Sequence, residues 1–249
     1  MAIHKVLVFL AHPDDTDAYC PNFLAALVKA GKEIYLCSFT RGEHGLGGNR
    51  DPDKEKFRGS RLGRIRTQEL VSAAAFIGIP ASRLHFLDIE DSTVPNNKLI
   101  AHRHVDAIIH GINPDLVMMP EFAHGYYKHP DHVYAGMIAF LAARHYKPGI
   151  KVIFYHSMRS NYFFPVASTA FGRRAVEFHK SQTDFFRYLY PLLVNVEQVV
   201  NGIFHVQGYV RAEGLRVSST KLPQYPGFKA RIVARIFAKL AIIPKTKNV

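Results

Sequence analysis

Short apolar runs alternate with amphipathic segments through residues 1–155, and few folds accommodate that alternation. The run over residues 6–10 is uninterrupted, as expected of a strand buried on both faces. Further strands are predicted over residues 33–39, 84–87, 115–119 and 152–155, and helices over 23–30, 62–77, 99–109 and 133–143. Strands alternating with helices indicate βαβ units. The predicted fold is therefore α/β, with a Rossmann-like, mostly parallel sheet flanked by helices.

The pattern is ambiguous over residues 160–225, which are rich in Phe and Tyr. We predict a helix near residues 175–190 and short strands around 203–217, so that the C-terminal portion is mixed. One α/β domain can fill a chain of this length. The prediction is a single domain over residues 1–225, followed by a basic amphipathic helix and tail over residues 226–249.

The C-terminal tail carries most of the excess positive charge. The net charge of the chain is +12, and residues 211–249 hold nine Lys or Arg and one acid, a net +8. A helix over residues 228–243 would place basic side chains on one face and an apolar stripe on the other, formed by Phe228, Ile232, Ile236, Leu240 and Ile243. Such a helix predicts contact with an anionic membrane surface. The alternative is a last helix that packs on the domain.

Composition excludes several classes of protein. Cys20 and Cys37 are the only cysteines, which excludes a disulfide framework and a four-cysteine zinc site. The first apolar run is too short for a secretory signal, and no apolar stretch is long enough to cross a membrane. We expect a cytoplasmic protein, peripheral at the inner membrane face if the tail binds lipid. No nucleic-acid partner is expected, because no binding module accompanies the basic residues.

The first predicted strand leads into His12-Pro13-Asp14-Asp15. In parallel sheets, ligands bind beyond the carboxyl ends of the strands, which is where this loop lies. The loop lacks the spaced glycines of a dinucleotide site. A His and an Asp three residues apart can converge on one metal ion. The alternative is a polar loop in which an aspartate caps the next helix.

A second His-Pro-Asp sequence follows the strand predicted over residues 115–119 and runs from His129 to His132. His12, Asp15 and His132 form a set of two imidazoles and one carboxylate. That set suits one catalytic zinc ion, which leaves a coordination position open for water. Other divalent ions remain an alternative. So does the interpretation of His129 and His132 as surface histidines at a helix start.

Two other residues of the motifs, Asp14 and His129, have side chains suited to acid–base catalysis. Zinc lowers the pKa of bound water to ~7, so that the water becomes a nucleophile. Asp14 is then the candidate general base. His129 is the candidate for stabilising an oxyanion and protonating a leaving amine.

These motifs resemble the PIG-L/LmbE-like family of zinc-dependent N-deacetylases. The similarity lies in Ala-His-Pro-Asp-Asp at 11–15, Thr-Arg-Gly-Glu at 40–43, Arg66 with Glu69-Leu70, His-Pro-Asp-His at 129–132, Ser181-Gln182 and Ala212-Glu213. The resemblance implies a Rossmann-like fold and a zinc ion held by His12, Asp15 and His132. It also implies removal of the acetyl group from a 2-acetamido sugar such as N-acetylglucosamine, free or linked to a lipid or phosphate.

The chain departs from the family pattern after Asp15. In the family, a glutamate and a glycine-rich turn usually follow the motif, whereas this chain has residues 16–21 of different composition. The difference affects the shape of the pocket beside the metal ligands and leaves the ligands themselves in place. Two other functions stay open: a metal-dependent hydrolase of a non-sugar amide or ester, and a non-catalytic sugar- or lipid-binding member of the fold.

Four further residues are predicted to bind substrate: Arg41, Glu43, Arg66 and Asp131. Arg66 with Glu69 would otherwise be an ordinary solvated pair on a helix face. Asp131 would otherwise cap a helix or orient a neighbouring imidazole.

Overall fold

The chain folds around one central sheet. A computed structural model describes residues 2–45, 56–182 and 190–218. Its strands are β1 (Lys5–Leu10), β2 (Glu33–Ser38), β3 (Leu84–Phe86), β4 (Leu116–Pro120), β5 (Lys151–Tyr155), β6 (Tyr162–Pro165) and β7 (Ala212–Ser218). Their order is β3-β2-β1-β4-β5-β7-β6. Strands β1 to β5 are parallel, and β7 joins β5 to β6 with antiparallel pairing. The predicted mostly parallel sheet and mixed C-terminal portion are confirmed.

The helices begin and end at residues suited to those positions. They are α1 (Asp15–Tyr19), α2 (Pro21–Lys29), α3 (Ser60–Ile77), α4 (Lys98–Ile112), α5 (Pro130–Tyr146), α6 (Ala170–Val176) and α7 (Tyr190–His205). Helices α2 and α5 each begin with a proline, whose missing N–H costs nothing in the first turn. Helix α3 ends at Gly78, whose φ of 99° is the left-handed conformation that glycine adopts freely.

Alternate side chains of β1 point to opposite faces of the sheet and enter two separate cores. Leu7 and Phe9 pack in a core covered by α4 and α5. Val6, Val8 and Leu10 pack in the other core, covered by α2 and α3. Burial on both faces explains why the sequence of β1 is a continuous apolar run.

The strand order reverses direction at β1, which has β2 on one side and β4 on the other. In a parallel sheet this reversal separates the loops that follow the two strands and opens a crevice between them. Such a crevice is expected between the loop after β1 and the loop after β4. These loops carry the two His-Pro-Asp sequences.

The prediction for the aromatic region was wrong in detail. A helix was predicted near residues 175–190, but in the described part of that range α6 ends at Val176 and a turn of 3-10 helix follows over Lys180–Gln182. Strand β6 was missed, because its aromatic residues do not alternate with polar ones.

The tail over 226–249 lies outside the described residues, so the domain boundary stays a prediction. Among the residues that the structure covers, no helix has the length and apolar character needed to cross a bilayer.

Glu213 joins the antiparallel edge of the sheet to the start of α2. Its Oε1 accepts hydrogen bonds from the backbone N–H and side chain of Asn22, at 3.0 and 2.7 Å. Its Oε2 accepts from the backbone N–H of Phe23 at 2.8 Å. A carboxylate at a helix N-terminus also interacts favourably with the helix dipole.

Replacing Glu213 by Ala should lower the free energy of unfolding by about 1–3 kcal/mol, because buried donors would lose their acceptor. Urea denaturation measures the change. Glu177→Ala is the control, because Glu177 lies at the end of α6 with an exposed side chain. Equal losses in both variants would contradict this role of Glu213.

Candidate metal centre

The loop after β1 is folded around the carboxylate of Asp15. Oδ2 accepts hydrogen bonds from the backbone N–H groups of Ala11 at 2.7 Å and His12 at 3.2 Å. Burial disfavours the charged form of Asp15, but the imidazole of His132 and then His12 outweigh burial and lower its pKa. The loop therefore holds an ionised carboxylate at the sheet edge.

The second motif lies at the start of α5. His129 caps the helix, with Nδ1 accepting a hydrogen bond from the backbone N–H of Asp131 at 3.2 Å. His132 lies in the first turn and is buried. The helix start therefore directs two imidazoles into the crevice region from the β4 side.

Three donor atoms of the two motifs converge: Nδ1 of His12, Nε2 of His132 and Oδ1 of Asp15. The two nitrogens are 3.1 Å apart. Oδ1 lies 3.2 Å from Nε2 of His132 and 4.0 Å from Nδ1 of His12. Tetrahedral zinc with bonds of about 2.0–2.2 Å requires donors separated by roughly 3.4 Å. The donor set therefore fits a divalent cation such as zinc.

A second set of donors shares His12 and adds His129 and Asp131. The carboxylate of Asp131 already accepts hydrogen bonds from the backbone N–H groups of Ser92 at 2.7 Å and Val94 at 3.2 Å. Because its oxygens are occupied in this way, the set with Asp15 is the better candidate.

The other ring nitrogen of His12 faces carboxylates. Nε2 lies 3.2 Å from Oδ1 of Asp91 and 3.5 Å from Oδ2 of Asp131. Burial disfavours charge on His12, but Asp91 and Asp131 outweigh burial and raise its pKa. A metal-binding imidazole commonly donates its free N–H to a carboxylate, which fixes its tautomer and orientation. This arrangement favours Nδ1 of His12 as the metal donor.

Two residues of this region were missed by sequence analysis. Asp91 follows β3, and His156 follows β5 with a φ of 52°. Nε2 of His156 lies 3.5 Å from Nδ1 of His132. Burial, and then His132, lower the pKa of His156 to about 3, so it stays neutral. The position of both residues just beyond a strand end was the signal that could have found them.

Asp14, the predicted base, is paired with Arg66 of α3. Nη2 of Arg66 donates to Oδ1 of Asp14 at 2.7 Å, and Nη1 donates to the carbonyl of Gly42 at 3.0 Å. A Cβ at Gly42 would lie 2.4 Å from Cζ of Arg66, so glycine permits the approach. Arg66 and Glu69 are buried, so their interpretation as a solvated pair was wrong. Substrate binding by Arg66 stays a prediction.

Arg41 and Glu43 lie on the loop after β2. Nε of Arg41 donates to Oδ1 of Asp88 at 2.6 Å, and its guanidinium lies 4.4 Å from the ring centre of Phe86. Oε1 of Glu43 accepts from the backbone N–H of Asp91 at 3.0 Å. Glu43 therefore supports Asp91, which contacts His12. Substrate binding by Arg41, Glu43 and Asp131 stays a prediction.

His129 lies beside the metal donor set as a neutral imidazole. Burial, and then the imidazoles of His12 and His132, lower its pKa well below the usual value. Because Nδ1 accepts a backbone hydrogen bond, the ring proton is assigned to Nε2. The ring centres of His129 and His12 are 4.9 Å apart. His129 therefore offers an N–H donor next to the donor set.

Residues 7–143, more than half of the chain, match the family PIG-L, described as GlcNAc-PI de-N-acetylase. The chain belongs to the PIG-L family. The match covers both His-Pro-Asp sequences and Arg66, and it ends before His156. The resemblance inferred from the motifs is thereby confirmed.

Relatives of known activity include two deacetylases. The diacetylchitobiose deacetylase of Thermococcus kodakarensis is 25% identical over 233 residues, which cover 86% of this chain and 83% of that protein. A 1D-myo-inositol 2-acetamido-2-deoxy-α-D-glucopyranoside deacetylase of Catenulispora acidiphila is 28% identical over 159 residues, covering 55% of this chain and 44% of that protein. Deacetylases hydrolyse amide C–N bonds, so the predicted enzyme class is confirmed.

A solved structure shares the fold. The N,N′-diacetylchitobiose deacetylase of Pyrococcus horikoshii superposes with a TM-score of 0.77 at 21% identity, covering 91% of this chain and 88% of that chain. Similarity at this identity establishes the architecture. The chemistry of this chain must be argued from its own side chains.

Replacing Asp91 by Asn should weaken zinc binding by about 10–100-fold, because His12 would lose its carboxylate partner. Titration against a chromophoric chelator measures the affinity. Asp88→Asn is the control, since Asp88 lies on the same loop but contacts Arg41 and is largely exposed. An unchanged affinity in the Asp91 variant would show that Asp91 does not support His12.

Proposed function

We propose that this protein is a zinc-dependent hydrolase that removes the acetyl group from a 2-acetamido sugar of N-acetylglucosamine type. The observation that carries the proposal is the convergence of His12, Asp15 and His132 beside Asp14. Membership of a deacetylase family supports the reaction class.

His12, Asp15 and His132 would hold the ion through two nitrogens and one oxygen. Within the described residues both cysteines are buried in the cores and absent from the donor set. Nitrogen and carboxylate donors suit zinc and are shared by other divalent ions. A divalent cation in such a site supplies a water nucleophile at neutral pH.

Asp14 would act as the general base. Arg66 holds Oδ1 of Asp14, which leaves Oδ2 to accept the proton as water adds to the acetamide carbonyl. The C–N bond then breaks. The sugar amine takes a proton and acetate leaves. The pairing with Arg66 fixes the orientation of the carboxylate throughout.

His129 would stabilise the oxyanion that develops on the acetamide oxygen. A neutral imidazole with its proton on Nε2 can donate a hydrogen bond to that oxygen. Burial of the ring strengthens such a bond, because water does not compete for the donor. The proton that Asp14 takes from water would then pass to the leaving amine, because a neutral imidazole is too weak an acid to give up its ring proton.

Acetate release over a substrate panel tests the proposed function. The panel holds free N-acetylglucosamine, diacetylchitobiose, nucleotide-linked and lipid-linked N-acetylglucosamine, and a simple acetate ester, each with zinc-loaded protein. We expect acetate from at least one N-acetylated sugar and a slower reaction with the ester. Hydrolysis of the ester alone would favour a non-sugar hydrolase. No acetate from any compound would favour a non-catalytic binding protein.

We further propose that residues 226–249 bind an anionic membrane surface, which would bring a lipid-linked sugar to the site. Their basic amphipathic pattern supports this. So does the exposed apolar face of α7, where Val200, Ile203 and Phe204 are 47%, 60% and 74% exposed.

Vesicle co-sedimentation tests this proposal. The full chain should sediment with anionic vesicles and remain free with neutral ones, because attraction to anionic lipids supports binding by a basic amphipathic helix. A chain ending at residue 225 is the control. Equal binding of both chains would contradict membrane binding by the tail.

A further inference from the structure

The segment that follows α6 contacts three separate parts of the candidate site. Its first contact is with α1, the helix that begins at the predicted ligand Asp15. Nε2 of His179 lies 2.8 Å from Oδ2 of Asp17. Both side chains are almost completely buried, at 0% and 1% exposure. This pair therefore attaches α1 to the segment that follows α6.

The second contact is with α3. The backbone N–H and the hydroxyl of Ser181 donate to the two carboxylate oxygens of Glu69, each at 2.7 Å. Glu69 is buried and lies one turn after Arg66, the partner of Asp14. Two hydrogen bonds to one carboxylate restrain its position more tightly than a single bond would.

The third contact is with the loop after β2. Nε2 of Gln182 donates to the carbonyl of Gly45 at 2.8 Å. A Cβ at Gly45 would lie 2.6 Å from Nη1 of Arg66, so this loop packs directly on the guanidinium. Gln182 therefore holds the loop against Arg66.

We propose that His179, Ser181 and Gln182 are positioning residues, which hold α1, α3 and the first part of the loop after β2, residues 39–45, in one fixed arrangement. These three parts come from distant regions of the chain. The position of Asp15 depends on α1, while the Asp14–Arg66 pair depends on α3 and the loop.

The three positioning residues are expected to affect two different properties of the site, metal affinity and turnover. His179 acts on the helix that carries a metal ligand, so it governs metal affinity. Ser181 holds Glu69 on the helix that carries Arg66, and Gln182 holds Gly45, which packs on Arg66. Through Arg66 both would govern the orientation of Asp14 and hence turnover. The turnover part rests on the proposed function, whereas metal affinity is measured without any substrate.

The test compares full-length variants in zinc affinity and in steady-state kinetics with the best N-acetylated sugar. His179→Ala should weaken zinc binding by about 10-fold or more. Gln182→Ala should keep the zinc affinity and KM and lower kcat by about 10–100-fold, the effect expected of a slightly misplaced catalytic group. Arg174→Ala, which removes an exposed side chain of α6, is the control and should match the unmodified protein.

A pair of variants at Ser181 separates the role of its hydroxyl from other effects of substitution at this position. Ser181→Ala should lower kcat, while Ser181→Thr keeps the hydroxyl and should restore most of it. If His179→Ala does not fold, the Ser181 pair and Gln182→Ala decide the proposal.

Three results would overturn the inference: unchanged zinc affinity in a folded His179→Ala protein, unchanged kcat in Gln182→Ala, or equal loss in Ser181→Ala and Ser181→Thr. If no sugar is a substrate, the proposed function fails, and the zinc affinity of His179→Ala still tests the inference.

Discussion

Replacement of Asp14 by Asn is expected to lower turnover by about 10²–10⁴-fold while the fold and the zinc content stay intact. The change is nearly isosteric, and an amide oxygen can still accept the hydrogen bond from Nη2 of Arg66. The amide cannot accept a proton from water at neutral pH, so only the base is removed. Asp14 is not part of the donor set, which is why zinc should remain.

The measurement is acetate release together with metal analysis of the same samples. Glu90→Gln is the control, because Glu90 is an exposed carboxylate near the site edge that contacts His44. It should match the unmodified protein in both measurements. Full turnover in the Asp14 variant would contradict the proposal that Asp14 is the general base. Loss of zinc would instead identify it as a ligand.

Replacement of His132 by Ala should abolish stoichiometric zinc binding and turnover together. Nε2 of His132 is the atom nearest to both other donors, at 3.1 and 3.2 Å. Its removal leaves one nitrogen and one oxygen, too few for a stable catalytic site. The loss in affinity should exceed the roughly 10–100-fold expected from losing an outer partner such as Asp91.

His145→Ala is the matched control, because His145 lies on the same helix with an exposed side chain. It tests whether any histidine change on α5 disturbs the site. Zinc content and acetate release should be normal in this variant. One zinc ion per chain retained in the His132 variant would contradict the assigned donor set.

The location of the site followed from sequence because strand ends are easy to recognise. The apolar run of β1 stops at the first His-Pro-Asp sequence, and a second such sequence follows β4. Parallel strands bring their carboxyl ends to one edge, so the two motifs were expected at the same edge of the sheet. In the structure β1 pairs directly with β4, which brings the two motifs together. The sequence alone could not show that these two strands are neighbours.

The partners of those motifs could not be deduced in the same way. Arg66 is predicted on a helix, and the helical pattern does not reveal that its charge is buried against Asp14. Asp91 is one of several acids after β3, and only the folded loop selects it. His156 is a lone histidine without a motif. In each case the deciding contact joins residues far apart in the chain.

The structure of the aromatic region over residues 160–225 could not be predicted for a different reason. Phe76 of α3 packs against Phe171 and Phe178, with ring centres 4.8 and 5.5 Å apart. These contacts join residues far apart in the chain, and no local periodicity reports them. The error in the helix predicted near residues 175–190 is of this kind.

Anomalous diffraction at the zinc edge tests the central claim most directly. Crystals of the full chain grown with one equivalent of zinc should show a single strong peak about 2.0–2.2 Å from Nδ1 of His12, Oδ1 of Asp15 and Nε2 of His132. A peak ligated by other residues, or no peak at these three atoms in zinc-loaded crystals, would contradict the assignment.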